Sequence, residues 1–146
     1  EHVRYCVVGG LAVNAYVEPV VTPDLDVVLA ADDLRRVEPA LAAAFATERF
    51  PHSFNVSLAG SDLRVQIQTD PRYAPCVERA TRRTVLGVEM PVAGLPDVLQ
   101  GKVWAVQDQT RRASKRQKDL ADIARILEAF PDLRTHVPAD VLSRLI

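Results

Sequence analysis

The stretch that most restricts this chain is "VRYCVVGGLAVNAYVEPVVTPDLDVVLA" (3–30), where one β-branched run ends in a glycine pair and a second opens on two aspartates. Aspartate is a poor strand residue. Residues two apart share one face of a strand and lie about 7 Å from each other. Asp24 and Asp26 therefore point the same way, with Leu25, Val27 and Leu29 directed into the core. Two carboxylates so placed repel by roughly 2–3 kcal/mol at an effective dielectric of about 20. A hard divalent cation removes that penalty, since Mg²⁺ takes oxygen ligands and commonly one or two carboxylates plus substrate phosphates. Gly9 and Gly10 stand between a strand and a helix, where bare backbone N–H groups can approach a phosphate closely, and Asn14 and Thr22 add short polar side chains nearby. The bland alternatives are a solvated edge strand and a tight turn.

The rest of the chain reads as alternating elements. "VRYCVV" (3–8) is a buried strand, 11–16 a short helix closed by Pro19, and 24–30 a second strand. An amphipathic helix capped by Asp32 follows, with a bend at Pro39. Residues 53–70 form a hairpin around "AGSD", 74–82 a short helix, and "TVLGVEMPVA" (84–93) a smaller β-pair around Gly87. Helices are expected over 95–109 and 114–130, with a last short one in "ADVLSRLI". This order predicts an α+β fold, a small mixed sheet over 1–94 with a helical part at 95–146 packed on it as one compact domain. Tyr5, Tyr16, Phe45, Trp104 and Phe130 are expected in the core, and Tyr73, beside Arg72, at the surface where it can meet a nucleobase.

Composition excludes little but narrows the setting. At 146 residues, 48% apolar and 25% charged, the chain suits one soluble domain. No apolar run approaches a membrane span and no signal peptide is visible, although the chain opens without methionine, so native sequence is expected to precede it. Cys6 and Cys76, without metal-ligand spacing, read as reduced thiols in a cytoplasm. A net charge of −1 argues against polyanion binding by the whole surface, and His2, His52 and His136 are too scattered for a zinc site.

"VVGG", the short helix and "TPDLDVVL" together resemble the nucleotidyltransferase superfamily that includes DNA polymerase beta. The resemblance implies that Gly9 and Gly10 lie along a triphosphate and that Asp24 and Asp26 bind the catalytic metals, Mg²⁺ or Mn²⁺. That superfamily commonly carries a third carboxylate on a neighbouring strand, which helps to deprotonate the attacking hydroxyl. Here the matching strand shows Asp62, Arg64, Gln66, Gln68 and Asp70 on its polar face, with amides where the acid is expected. Gln66 can offer a carbonyl oxygen to Mg²⁺ but is no general base. Asp70 can substitute if the strand end curls inward; its plain role is a turn residue before Pro71.

The segment "TRRASKRQKD" holds Arg111, Arg112, Lys115, Arg116 and Lys118 before its first acid, Asp119. With Ser114 as N-cap, several cations crowd the positive end of a helix, at a cost of roughly 0.3–1 kcal/mol each. Such crowding points to an anion site, phosphate or RNA backbone, with a solvated basic loop as the plain alternative. Leu120, Ile123, Ala124 and Leu127 form the buried stripe, and Lys115/Asp119 and Lys118/Asp122 are spaced for surface ion pairs. "LPDVLQGKVWA" and "KRQKDLADIARIL" are similar to the AbiEii-type abortive-infection toxins of type IV toxin–antitoxin systems. That resemblance implies nucleotide contacts by Lys102 and Lys118, a site organised by Asp119, and an antitoxin partner. The expected reaction moves a nucleoside monophosphate from an NTP to an acceptor hydroxyl, with RNA as a candidate acceptor through the 111–116 cations. Two other readings stay open: a nucleotide- or RNA-binding module without turnover, and a pure partner protein.

Overall fold

The computed structural model describes residues 3–145 of the chain. Its frame is a seven-stranded sheet in which β1 (Tyr5–Val8), β2 (Asp24–Leu29), β3 (Ala46–Phe50), β4 (Ser53–Ser57), β5 (Arg64–Gln68), β6 (Thr81–Val85) and β7 (Val88–Val92) lie in the order β3-β4-β5-β2-β1-β7-β6. The apolar runs form β1 (Tyr5–Val8) and β2 (Asp24–Leu29), paired antiparallel with Val8 opposite Asp26. Helix α1 (Gly9–Asn14) fills the gap between them and buries Leu11, Ala12 and Val13. On the far side of β2 lies β5 (Arg64–Gln68), parallel to it and antiparallel to β4 (Ser53–Ser57), which is the expected hairpin. Parallel and antiparallel pairs thus share one sheet, the mixed sheet expected from the sequence.

Four local expectations change. Residues Ala46–Phe50 add an edge strand, β3, because "ATERF" pairs with β4 although none of its residues is buried. The helix expected over 74–82 is a 3₁₀ turn over Pro71–Val77, started by Asp70, whose side chain accepts the Arg72 amide at 2.9 Å. The residues after it enter β6 (Thr81–Val85), which pairs with β7 (Val88–Val92). Their two-residue turn is Leu86-Gly87, both at positive φ (53° and 77°), the geometry that matches strand twist in a tight hairpin. Helix α2 (Ala31–Ala44) runs through Pro39 and has no side-chain N-cap, so the Asp32 cap does not form; Asp32 and Asp33 lie in its first turn instead.

The core lies between the central strands and the C-terminal helices α3 (Leu95–Gln107) and α4 (Ala113–Ala129). Cys6, Val7 and Val8 are all buried, so β1 is covered on both faces. Val27 and Val28 are also both buried, which confines the polar face of β2 to the end carrying Asp24 and Asp26. In α4 the stripe is Leu120, Ile123, Ile126 and Leu127, with Ile126 taking the place expected for Ala124. A second 3₁₀ turn (Pro131–His136) and the short α5 (Ala139–Leu142) close the described chain. Phe45 and Phe130 are not core: each ends a helix and is more than a third exposed. Tyr5 and Tyr16 pack against the core as expected. Both cysteines are free and buried, and burial pushes the Cys6 thiol up to about 12 and that of Cys76 to about 11. No helix among the described residues is long and apolar enough to cross a membrane.

Candidate active site

The β1–β2 register brings the paired acids to the glycine turn. Gly9, the residue after Val8, has φ +72° and sits so close to Asp26 that an added Cβ would fall 2.2 Å from Oδ2. Only glycine accepts both that conformation and that approach. The Oδ1 of Asp26 is shut off from solvent without a hydrogen-bond partner. Burial raises the Asp26 carboxyl to about 6, helped by Asp24 and opposed by the positive charges of Lys102, Arg111 and Lys118. Gly10 faces Thr22, whose Oγ1 lies 3.1 Å from the Cβ position of that glycine, and Lys118 Nζ donates to the same hydroxyl at 3.4 Å.

The β2–β5 register then decides what stands beside the acids. Gln66 pairs with Asp26 and Arg64 with Asp24. Arg64 donates from Nε and Nη2 to the two oxygens of Asp24, both at 3.1 Å, so the first acid already holds a cation. The arginine itself is nearly half exposed and can swing away into solvent. Asp70 does not approach as a free base: the Arg72 guanidinium grips it at 2.9–3.3 Å and holds its carboxyl below the usual range.

A groove of about 830 Å³ opens alongside, walled by Gln66, Gln68, Asp70, Tyr73, Trp104 and Arg111 among others. Trp104 lines it instead of joining the core, with the Arg72 guanidinium 4.4 Å above its ring. Tyr73 is not a surface residue. It packs edge-on against Trp104 at 5.2 Å and within contact of Gly101, and burial pushes its hydroxyl up to about 12.

The C-terminal charges arrange themselves differently from their sequence spacing. Lys102, Asp119 and Asp122 are all buried. Lys102 Nζ donates to Asp119 Oδ1 at 3.1 Å and lies 2.8 Å from Asp122 Oδ2, the latter a charge contact without hydrogen-bond alignment. Burial pulls the ammonium down, but the two carboxylates outweigh it and hold the pKa above its ordinary value. Arg111 closes on Asp119 at 2.7 Å, and Arg125 on Asp122 at 2.7 Å. The Lys115/Asp119 and Lys118/Asp122 surface pairs therefore do not form, because α4 turns both aspartates toward α3. Lys102, expected at a phosphate, sits within this cluster, and Arg111, expected at RNA, belongs to it too. Arg112, Lys115 and Arg116 have no ion-pair partner among the described residues. Ser114 lies inside the first turn of α4, and Arg112 holds the N-cap position without a side-chain hydrogen bond. Asn14 is committed to the backbone of Val20, donating to its carbonyl at 2.7 Å and accepting its amide at 3.1 Å. His2 lies outside the described residues, and among these no group of three metal-ligating side chains converges.

Sequence reasoning put Arg64 on the polar face of its strand but missed its partner Asp24, which depends on strand register, and it overlooked Arg125, for which the spacing from Asp122 was the available signal.

A family model described as "Nucleotidyl transferase AbiEii toxin, Type IV TA system" matches residues 4–145. A search of curated proteins by sequence finds no match. Among solved structures, ANT(2'')-Ia in complex with adenylyl-2''-tobramycin shares the fold at TM-score 0.62 and 12% identity, over 99% of this chain and 90% of that one. The lincomycin-bound lincosamide antibiotic adenylyltransferase LnuA matches at TM-score 0.55 and 12% identity, over 85% and 87%. An antigenic nucleotidyltransferase-like protein from Paracoccidioides brasiliensis matches at 0.51 and 18%, over 97% and 89%.

Proposed function

The chain belongs to the AbiEii family of nucleotidyl transferases, and from that footing we propose that it moves a nucleoside monophosphate from an NTP to an acceptor hydroxyl, with RNA as acceptor. The acceptor oxygen bonds to the α-phosphorus as its proton passes to solvent, the bond from that phosphorus to the bridging oxygen breaks, and pyrophosphate leaves. Asp24 and Asp26 would hold Mg²⁺ or Mn²⁺, which when bound neutralises charge on the transferred group. The observation that carries this reading is the unpartnered Oδ1 of Asp26, held against a glycine whose backbone admits nothing larger. Desolvating a carboxylate without a partner is costly, and a cation relieves that cost.

The chain's own residues do the positioning. Gly9 and Gly10 line the triphosphate, and Lys118, exposed above Thr22, supplies a cation at its far end. Lys102 acts from within its buried cluster, lending positive field to Asp26 and not reaching out itself. Asp119 organises the site by fixing Lys102 and Arg111. Gln66 beside Asp26 cannot take a proton, and Asp70 is held ionised by Arg72 as a weak base, so slow turnover is expected. Arg112, Lys115 and Arg116 are the cations left for an RNA backbone. A toxin role restrained by an antitoxin protein, in a cytoplasm that keeps the two thiols reduced, belongs to the same proposal.

Incubation with labelled NTPs, bulk RNA and Mg²⁺ tests it. Label is expected on the acceptor, reduced by about 10²-fold or more in Asp26→Asn. A second reading, nucleotide binding without turnover, is favoured by the Arg64–Asp24 pair and by the amide at Gln66. It predicts NTP binding but no label in either protein. Arg64→Gln frees Asp24, and Mn²⁺ binding followed by electron paramagnetic resonance is expected to tighten by up to about fivefold, the worth of an exposed ion pair. Mn²⁺ affinity unchanged in both Arg64→Gln and Asp24→Asn would mean that Asp24 is not a metal ligand.

A further inference from the structure

Between Glu18 and Pro23 no side chain is buried; Val20 is nearly half exposed and Val21 almost wholly so. Apolar packing therefore does not fix this segment, yet it carries Thr22 to its place against Gly10 and under Lys118. What fixes it is polar. Asn14, at the end of α1, brackets Val20 through both backbone groups. Arg125 of α4 donates from Nη2 to Asn14 Oδ1 at 3.1 Å and to the Glu18 carbonyl at 2.6 Å. Its other terminal nitrogen, Nη1, donates to Asp122 at 2.7 Å, and Asp122 in turn lies 2.8 Å from Lys102. One guanidinium thus joins the buried ion cluster to the loop, and it does so with a fork that no single ammonium reproduces.

We propose that Arg125 is a positioning residue for the terminal phosphates of the NTP: through Asn14 and Glu18 it sets the loop that places Thr22, and with it Lys118, beside Gly10. The inference rests on the transferase reading above and adds to it a residue outside the paired acids and the glycine turn. Because Thr22 stands at the Gly10 end of the seat, and Asp24 after it is held separately by the pairing of β2, loss of the clamp weakens the grip on the β- and γ-phosphates and leaves the nucleoside monophosphate part untouched.

The test compares Arg125→Lys with the unmodified chain, using ATP, CTP, GTP and UTP and the corresponding monophosphates in the presence of Mg²⁺. Lysine keeps a cation for Asp122 but cannot also span Asn14 and Glu18. The expected result is a loss of NTP affinity by about tenfold with monophosphate affinity unchanged, the scale of losing a charge-assisted hydrogen bond or two. Faster hydrogen exchange of the 18–22 amides is expected alongside it, with or without nucleotide. Asn14→Asp keeps the acceptor for Arg125 and loses the donor to Val20, and the same split is expected there. Equal losses for NTP and monophosphate, or an NTP affinity that survives while the loop amides exchange faster, would overturn the assignment. If the unmodified chain binds no nucleotide, the transferase reading itself fails, and the clamp with it.

Discussion

Lys102→Ala is expected to lower the unfolding free energy by about 3–5 kcal/mol, because it leaves two buried carboxylates short of their shared cation. A chain of this length loses roughly 2–4 °C of Tm for each kcal/mol, so thermal unfolding shows the change directly. Arg111 still donates to both oxygens of Asp119 and Arg125 to one oxygen of Asp122, which keeps the loss within that range. A phosphate-contacting lysine on an open surface behaves otherwise, with substitutions worth less than about 0.5 kcal/mol. Stability unchanged in Lys102→Ala, measured by urea titration, would sink the buried-cluster account. Any loss of transferase activity in this variant has to be read against the folded fraction, since the same lysine both holds α3 to α4 and lends charge to Asp26.

Gly9→Ala is the second large effect. The new methyl meets Asp26 Oδ2 at 2.2 Å and Cγ at 2.9 Å, on a backbone at φ +72° that alanine adopts only under strain. The left-handed conformation costs about 1–2 kcal/mol and the overpacking about 1–3 kcal/mol more. Asp26 can yield only by turning its carboxyl away from the glycine turn, so activity and stability are expected to fall together. Gly10→Ala is the internal control: its backbone is unstrained and its methyl stands 3.1 Å from the Thr22 hydroxyl, so a modest loss is expected there. Equal Tm values for Gly9→Ala and the unmodified chain would mean that Asp26 and Gly9 are not in contact.

Much of the candidate site's geometry was legible in residues 3–30. The β-branched runs could only be strands, the glycine pair broke them, and the aspartates at alternate positions had to share a face. The AbiEii family was legible in the order of Lys102, Lys118, Asp119 and Asp122 along the chain. The charges beyond the strand were not. Ionic side chains at helical spacing can pair along their own helix or across to a neighbour, and only packing chooses. In α4 the choice fell to α3, since Asp119 and Asp122 border the buried stripe of Leu120 and Ile123 and follow it inward. The third-acid question was half legible: the amide at position 66 was plain, but the arginine seated on Asp24 was not.

The sequence alone determined the strand–glycine–helix–strand unit and the placement of two carboxylates at its mouth. It did so because backbone periodicity and glycine's conformational freedom act over a few residues and need no partner. Tertiary structure decided which cations those and the later carboxylates meet. Such pairings depend on the register of β2 against β5 and on the facing of α3 and α4, contacts between segments 17 to 111 residues apart that no local rule can set.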